Sequence, residues 1–441
     1  GEDTRRGVVG ADNAVLDGFT VTRGFASLYG GGMYIENTTP TVRNCIFASN
    51  ASSFGGGALG INGQEIAPAI SDCTFLENGA TQNGGAIYNL NGSPRLSHCL
   101  FKGNTAGSGG GTFEQGGYTR MSDCAFLKNS ATVGGGIYSL SYGPSLARCV
   151  FVGNSATAGE GGGIFDDAGY GNGVVAENCL FLRNSALGYR GYGGAVRPAN
   201  GTPTKLTNCT FTQNEALQGG AMGGDYMASN YYSQPIITNC ILWDNIGIWD
   251  SPEIYAGSTD GYYCVTYSCI KGGYMGQGNI DADPLFVDGP GGSVQLRVGS
   301  PCLDTGAVSS TVLGRVATAP DDDLLGRRRP AGAGVDMGAC EGYVTAAEFV
   351  TLTVQVSPAE AGHTQPETGT HTYVRGETAW VTALPLGMRF VGWTGDATEN
   401  AQSMALVMDA DKTVTAEFVP NILYVNATHT GTADGHSWAS A

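Results

Sequence analysis

The sequence predicts an all-β protein in which a parallel β-helix solenoid is followed by a small all-β module. Three observations lead to this prediction. The chain is rich in glycine but poor in charge, a cysteine-containing motif recurs every 25 to 31 residues between Cys45 and Cys240, and the character of the sequence changes after Tyr343. A repeat of this length, with short β-type runs between glycine turns, is typical of a solenoid whose repeats pack only against their neighbours.

The composition limits the class of protein and its partners. Glycine accounts for 71 of 441 residues, 41% of residues are hydrophobic and only 14% are charged, which fits many short strands and tight turns. The formal net charge of −17 would repel phosphate backbones, so we expect no nucleic-acid partner. Since no run of about 20 apolar residues occurs, no membrane-spanning helix is predicted.

The recurring motif reads Cys-x-Phe-x-x-Asn in seven segments from CIFASN to CTFTQN, with CILWDN as a final variant. A glycine motif such as GGGMY or GGAIY lies between successive copies. Leucine-rich repeats are disfavoured because the LxxLxLxxN pattern is absent, and helical repeats because no 3.6-residue periodicity is present. Each period is therefore predicted to be one coil with two or three short strands. The motif cysteines are Cys45, Cys73, Cys99, Cys124, Cys149, Cys179, Cys209 and Cys240.

Stacked coils place like residues above like at a spacing of about 4.8 Å, which explains the motif. Cysteine and phenylalanine, two positions apart, share one strand face and are predicted to point inward. The asparagine falls at a turn, where it can adopt a left-handed conformation and bond to the next coil. The predicted ladder includes Cys73, Cys99, Cys124 and Cys149, Phe75, Phe101, Phe126 and Phe151, and Asn78, Asn104, Asn129 and Asn154.

The GGA and FxxN repeats resemble those of chlamydial-type polymorphic outer-membrane proteins and of bacterial right-handed β-helix repeat proteins with a pectin-lyase-like fold. The segments LDGFTVTRG, NIDADPLFVD and GVDMGACEGY are also typical of that group. The resemblance covers roughly residues 10 to 343. It implies a right-handed parallel β-helix, secretion and display at the cell surface, but the fold itself does not settle function, since it serves both enzymes and inert stalks.

The segment from about 350 to 419 resembles the divergent InlB-type B-repeat, through residues that include Phe390, Trp393 and Phe418. This resemblance implies a small β-grasp-like module with a spacer or adhesive role, and Trp393 is interpreted as its core residue. We therefore divide the chain into a β-helix at 1–345, a B-repeat module at 346–419 and a tail at 420–441.

The tail contains YVNATHTGTADGHSWASA, which resembles the opening segment of another β-helix of the same family. Two interpretations remain open. Residues 1–441 are an excerpt of a longer tandem array, or the tail of one subunit covers the open first coil of the next and builds a head-to-tail filament. In the second case Tyr424, Val425 and Trp438 are the predicted assembly contacts.

Candidate catalytic and metal-binding residues are few. Asp166 and Asp167 follow GGGIF and Asp225 lies two coils later, a pattern compatible with paired acids for glycoside hydrolysis, but we interpret them as solvated loop acids. The run Asp321–Asp323 could attract a hard cation such as calcium, although no calcium-loop spacing is present. We predict neither a catalytic site nor a cofactor.

The cysteines of the repeat are predicted to be buried free thiols, because in-register parallel neighbours have poor disulfide geometry. Cys269 is expected to continue their column. Cys302 and Cys340 lie outside it, in the two C-terminal motifs, and are the predicted disulfide, compatible with an oxidising compartment.

Together these features predict an extracellular or cell-surface protein with a structural or adhesive role, not an enzyme, that self-associates into a filament or tandem array. The alternative is a polysaccharide-binding or polysaccharide-degrading β-helix protein. Its candidate glycan contacts are Tyr226, Tyr231 and Tyr232, in the long insertion GGDYMASNYYSQP, because tyrosine rings can stack on sugars. Glycans or a host cell surface are the expected partners.

Overall fold

The computed structural model describes residues 5–169, 172–224, 234–250, 252–257, 263–287, 293–344, 349–359, 361–385 and 388–420. The chain divides into two compact units, at residues 1–347 and 348–441. The first unit is a parallel β-helix, and the second is a small all-β domain.

Among the described residues, each coil of the β-helix except the last contributes one short strand to each of four parallel sheets, rather than the two or three strands predicted. Adjacent strands within a coil, such as Thr41–Arg43, Ile46–Ala48 and Ala51–Ser52, are separated by only two residues. Because two residues are enough to turn the chain, neighbouring strands look like one continuous β-type run in the sequence. The predicted number of strands in each coil was therefore too low.

The four sheets are numbered in the order in which a coil visits them. The first sheet contains β1 (Val8–Val9), β5 (Met33–Glu36), β9 (Leu59–Asn62), β13 (Ile87–Leu90), β17 (Thr112–Gln115), β21 (Ile137–Leu140), β25 (Ile164–Asp167), β29 (Val196–Pro198), β33 (Met222–Gly223) and β37 (Ile254–Tyr255). The second sheet contains β2 (Val15–Asp17), β6 (Thr41–Arg43), β10 (Ala69–Ser71), β14 (Arg95–Ser97), β18 (Arg120–Ser122), β22 (Ser145–Ala147), β26 (Val175–Glu177), β30 (Lys205–Thr207), β34 (Ile236–Thr238) and β38 (Cys264–Thr266).

The third sheet carries the phenylalanine column and the fourth follows the asparagine corner. The third contains β3 (Thr20–Thr22), β7 (Ile46–Ala48), β11 (Thr74–Leu76), β15 (Leu100–Lys102), β19 (Ala125–Leu127), β23 (Val150–Val152), β27 (Leu180–Leu182), β31 (Thr210–Thr212), β35 (Ile241–Trp243) and β39 (Cys269–Ile270). The fourth contains β4 (Phe25–Ala26), β8 (Ala51–Ser52), β12 (Gly79–Ala80), β16 (Thr105–Ser108), β20 (Ser130–Val133), β24 (Ser155–Glu160), β28 (Ser185–Ala186), β32 (Glu215–Gln218) and β36 (Ile246–Asp250).

Two tight corners flank every strand of the third sheet, and both use a residue in the left-handed region. One is the residue before the motif cysteine, such as Asp72 with φ 53°. The other is the residue before the ladder asparagine, such as Lys128 with φ 53°. The prediction that the asparagine itself adopts this conformation was therefore wrong: its neighbour turns the chain, which leaves the asparagine side chain pointing inward.

The glycine motif forms the corner between the fourth and first sheets. Gly84 has φ 62°, and a Cβ added to Gly85 would lie 2.2 Å from the carbonyl oxygen of Gly110 in the next coil. A side chain at either position would therefore strain the backbone or hold adjacent coils apart.

Residues after the last coil fold back onto the β-helix. β40 (Leu296–Arg297) pairs with β43 (Tyr343–Val344), and β41 (Ser309–Val312) forms a hairpin with β42 (Arg315–Thr318). Arg315 anchors the hairpin to the β-helix, donating hydrogen bonds to the carbonyl oxygens of Gln234 (2.8 Å) and Pro203 (2.7 Å).

The second unit has two small sheets, in the orders β46–β44–β50–β48 and β45–β47–β49. Trp393 lies in its core, only 2% exposed, and its indole donates a hydrogen bond to the carbonyl of Ala401 (3.1 Å). The interpretation of Trp393 as a core residue is confirmed. The strands are β44 (Phe349–Ser357), β45 (Gly362–Gln365), β46 (Gly369–Val374), β47 (Thr378–Pro385), β48 (Met388–Gly395), β49 (Ser403–Val407) and β50 (Lys412–Pro420).

Among the described residues, no helix has the length and apolar character needed to cross a membrane.

Candidate functional site

The interior of the β-helix is organised by the three predicted columns. The phenylalanine rings stack in an unbroken pile, with centroids 4.5 Å apart between Phe101 and Phe126 and 4.7 Å apart between Phe126 and Phe151. All seven rings of the pile are fully buried. The predicted internal aromatic stack is confirmed. Its members are Phe47, Phe75, Phe101, Phe126, Phe151, Phe181 and Phe211.

The asparagine ladder is continuous over eight coils. The side-chain oxygen of Asn104 accepts hydrogen bonds from the backbone N–H (2.9 Å) and the side-chain amide (3.0 Å) of Asn78. Its own amide donates to the carbonyl of Phe75 and to the side-chain oxygen of Asn129, each at 2.9 Å. Every buried polar group of the side chain thus has a partner, as a dry interior requires. The ladder comprises Asn50, Asn78, Asn104, Asn129, Asn154, Asn184, Asn214 and Asn245.

Glu253 ends this ladder and was missed by the sequence analysis. Because each asparagine donates toward the following coil, Asn245 has donors but no asparagine beyond it. Glu253, 3% exposed, supplies both oxygens: one accepts from the backbone N–H of Asn245 (3.3 Å) and the other from its side-chain amide (2.6 Å). Burial nevertheless raises the pKa of Glu253 to about 7.

The eight motif cysteines are buried free thiols, as predicted. Each donates to carbonyl oxygens, as Cys73 does to Ser71 (3.1 Å). Cys269 does not continue the column, because it pairs in register with Ile241 and Ser268 takes the column position beside Cys240.

The predicted disulfide between Cys302 and Cys340 is not formed in the structure, where neither cysteine is part of a disulfide. The thiol of Cys302 instead interacts with that of Cys269, and both lie in one small apolar cluster that also contains Met337. The pair was predicted because both cysteines lie outside the column, in the two C-terminal motifs, but the fold-back of the chain packs Cys302 against Ile241 and Cys269 of the last coils.

Asp166 is not a solvated loop acid. It is fully buried on the inner face of β25, where one carboxylate oxygen accepts from the backbone N–H of Val174 and the hydroxyl of Thr204, each at 2.7 Å. Burial raises its pKa to about 6. Asp167 points outward and accepts from Tyr138 (3.2 Å). An interior carboxyl shielded from solvent cannot reach a polysaccharide, so this pair does not form a hydrolase site.

We predict that replacing Asp166 by asparagine flattens the pH dependence of stability. Because its pKa is raised in the folded state, the Asp166 contribution is fully present below about pH 4 and is lost as the pH rises through 6. Between pH 4 and pH 7 the wild-type protein should therefore lose roughly 3 kcal/mol of unfolding free energy that Asp166→Asn does not lose, so the stability of the variant relative to the wild type should rise by that amount. Urea unfolding at both pH values measures this difference.

Asp167→Asn is the matched control, since the neighbouring carboxylate is only half-buried. Because this variant keeps the buried carboxyl of Asp166, the loss of stability between pH 4 and pH 7 should persist in it. If the unfolding free energy of Asp166→Asn has the same pH dependence as that of the wild-type protein, the carboxyl of Asp166 is not buried as assigned.

The acidic run near residue 322 makes structural contacts. Asp322 accepts from Arg148 (2.7 Å), and Asp323, fully buried, accepts from the side chain of Arg327 (2.8 Å) and the backbone N–H of Glu341 (2.8 Å). These contacts hold the fold-back segment together. Over the described ranges, no group of three or more His, Cys, Asp or Glu side chains is arranged to hold a metal ion.

One surface groove combines charge, aromatic rings and a defined shape. It lies over the second sheet beside the hairpin β41–β42 and has a volume of about 370 Å³. We call it the basic groove, because its described lining contains three cationic side chains and no carboxylate. The lining includes Tyr118, Arg120, Ser145, Val175, Lys205 and Arg315.

The geometry of the basic groove follows from the register of the coils. Arg120 and Lys205 occupy the same outward position on β18 and β30, three strand spacings apart, with Ser145 and Val175 between them. At one lip, the ring of Tyr118 lies 5.2 Å from that of Tyr142, and both are exposed, by 51% and 39%.

The predicted contacts at Tyr226, Tyr231, Tyr232, Tyr424, Val425 and Trp438, and the acid Asp225, lie outside the described residues. These remain predictions. The sequence analysis missed the basic groove because Arg315 comes from a hairpin more than 100 residues beyond β22, while Arg120 and Lys205 recur without a fixed motif.

Two family models match parts of the chain. Residues 352–422 match the divergent InlB B-repeat domain, and residues 72–90 match the Chlamydia polymorphic membrane protein repeat. Both resemblances drawn from the sequence are thereby confirmed. Repeat domains of these types are typical of bacterial surface proteins, which indicates a secreted or surface protein.

Among solved structures, the chain is similar to one described as "Structure of PL6 family alginate lyase AlyGC", with 14% identity and a TM-score of 0.30. The similarity covers 71% of this chain and 56% of that one, so the chain spans little more than half of that structure. No curated protein matches the sequence.

Proposed function

We propose that this chain is a non-catalytic structural or adhesive protein of a bacterial surface, in which the β-helix provides length and the B-repeat domain acts as a spacer. The observation that carries the proposal is the placement of the repeated residues. The motif cysteines, phenylalanines and asparagines all lie in the interior columns, so the repeat builds a scaffold and presents no repeated chemistry outside. The matches to two surface-type repeats support the same conclusion.

The non-catalytic part of the proposal is tested by turnover. Purified protein is incubated with a panel of neutral and acidic polysaccharides, and the chain lengths are measured by mass spectrometry. We expect the chain lengths to stay unchanged over many hours. Shortened products that increase in proportion to protein concentration would instead support the alternative, a polysaccharide-degrading β-helix protein.

We also propose that the chain self-associates head to tail, with the tail of one copy covering the first coil of the next. The edge strand β36 supports self-association, since it exposes Trp249 by 64%. Exposed strand edges with apolar side chains favour pairing with another chain. Electron microscopy of the full chain should show filaments, and a chain truncated after Val419 should show none. Filaments that persist after truncation would refute the role of the tail.

A further inference from the structure

The basic groove is electrostatically unusual for this protein. The chain carries 39 acidic and 22 basic residues, yet the described lining of the groove brings together Arg120, Lys205 and Arg315 without a carboxylate. Neither Arg120 nor Lys205 forms an ion pair with a described residue. Asp123, which follows β18, is already bonded to Arg148 (2.7 Å), and Glu177, which shares the outward face of β26 with Val175, is not part of the groove lining. Grouped like charges with no carboxylate among them repel one another, so the lining of the groove favours an anionic ligand.

The spacing of the cations indicates an extended ligand rather than a single small anion. Strands of a sheet lie about 4.8 Å apart, so Arg120 and Lys205, three strands apart, are about 14 Å from each other along the second sheet. Arg315 is fixed beside the Lys205 coil by its two hydrogen bonds to carbonyl oxygens. One phosphate or carboxylate cannot reach across this distance, whereas a chain with an anionic group every few ångströms can.

Tyr118, at the edge of the groove, indicates which kind of molecule carries those anionic groups. Tyr118 lines the groove together with Ser145 and is 51% exposed, and its ring lies 5.2 Å from that of Tyr142 outside the lining. Tyrosine combines an apolar ring face with a polar tip, which suits a sugar ring with its hydroxyl groups. The volume of about 370 Å³ is within the ordinary range for ligand sites.

We propose that the basic groove binds a short segment of an acidic polysaccharide, with its carboxylate or sulfate groups on Arg120, Lys205 and Arg315 and a sugar ring against Tyr118. This rests on the proposed adhesive function and names the chemical class of its ligand.

The test is isothermal titration calorimetry of the full chain at low salt with three tetrasaccharides: tetragalacturonate, a sulfated heparin tetrasaccharide and neutral maltotetraose. We expect binding of an acidic tetrasaccharide, weakening as salt is added, and no measurable binding of maltotetraose. The two acidic probes distinguish carboxylate from sulfate recognition. The double variant Arg120→Gln/Lys205→Gln should bind at least tenfold more weakly, because charge-assisted hydrogen bonds are the strong ones.

The control is Lys128→Gln/Arg183→Gln, which removes the same charge at the asparagine corner of the β-helix, away from the groove. It should leave the affinity unchanged, and Tyr118→Ala should weaken binding several-fold without changing its salt dependence. Equal binding of maltotetraose, no binding of either acidic tetrasaccharide, or an unaltered affinity of the groove variant would each overturn the proposal. Such a result would not bear on display at the cell surface, which is tested separately by labelling cells.

Discussion

Replacing Asn104 by alanine is expected to cost roughly 3 to 5 kcal/mol of unfolding free energy, because the ladder loses four buried hydrogen bonds at one position. The backbone N–H and side-chain amide of Asn78 lose their acceptor, the carbonyl of Phe75 loses a donor, and the side-chain oxygen of Asn129 loses one of its donors. Each buried polar group left without a partner costs about 1 to 3 kcal/mol. The measurement is urea unfolding of the full chain, followed by circular dichroism of the β-structure.

Thr105→Ala is the matched control, since Thr105 is the next residue, in β16, and is exposed. Surface substitutions of this kind usually change stability by less than about 0.5 kcal/mol. If Asn104→Ala and Thr105→Ala unfold at the same urea concentration, the ladder does not hold the coils together as described here.

Truncating Phe126 to alanine should have a comparable effect through a different cause. The ring is fully buried and stacks on Phe101 and Phe151, so its removal leaves a cavity between two coils. Substitutions of this kind cost about 3 to 5 kcal/mol. Because a solenoid is stabilised by contacts between neighbouring repeats, the loss should broaden the unfolding transition as well as shift it.

Leu127→Ala provides the comparison for Phe126, because Leu127 is the next residue on β19 and is only half-buried. We expect it to cost much less. A Phe126→Ala variant no less stable than Leu127→Ala would show that the aromatic pile is incidental to the stability of the β-helix.

The sequence predicts the interior of the β-helix well, because in a solenoid one short motif is repeated in register. Phe101, Phe126 and Phe151 could be assigned to one column from their spacing alone, since the coils impose the same environment on each. The turn at each corner was harder to assign. The left-handed residue is Lys128 in one coil and Glu77 in another, and neither residue type signals this conformation.

Features that depend on one coil, or on the fold-back, could not be read from the repeat. Glu253 caps the ladder from a single non-repeated position, and Asp166 is buried only because the turns near Val174 and Thr204 close over it. The basic groove depends on Arg315, which lies on a hairpin far along the chain from the coil that it contacts at Pro203. No local sequence pattern predicts this contact.

The central claim is that this β-helix is displayed outside the cell, and immunolabelling tests it most directly. Intact and permeabilised cells of the source organism are labelled with antibodies raised against the purified chain, with a cytoplasmic protein as the control for leakage. We predict equal labelling of intact and permeabilised cells, while the cytoplasmic control is labelled only after permeabilisation. Labelling of the β-helix that appears only after permeabilisation would contradict the account.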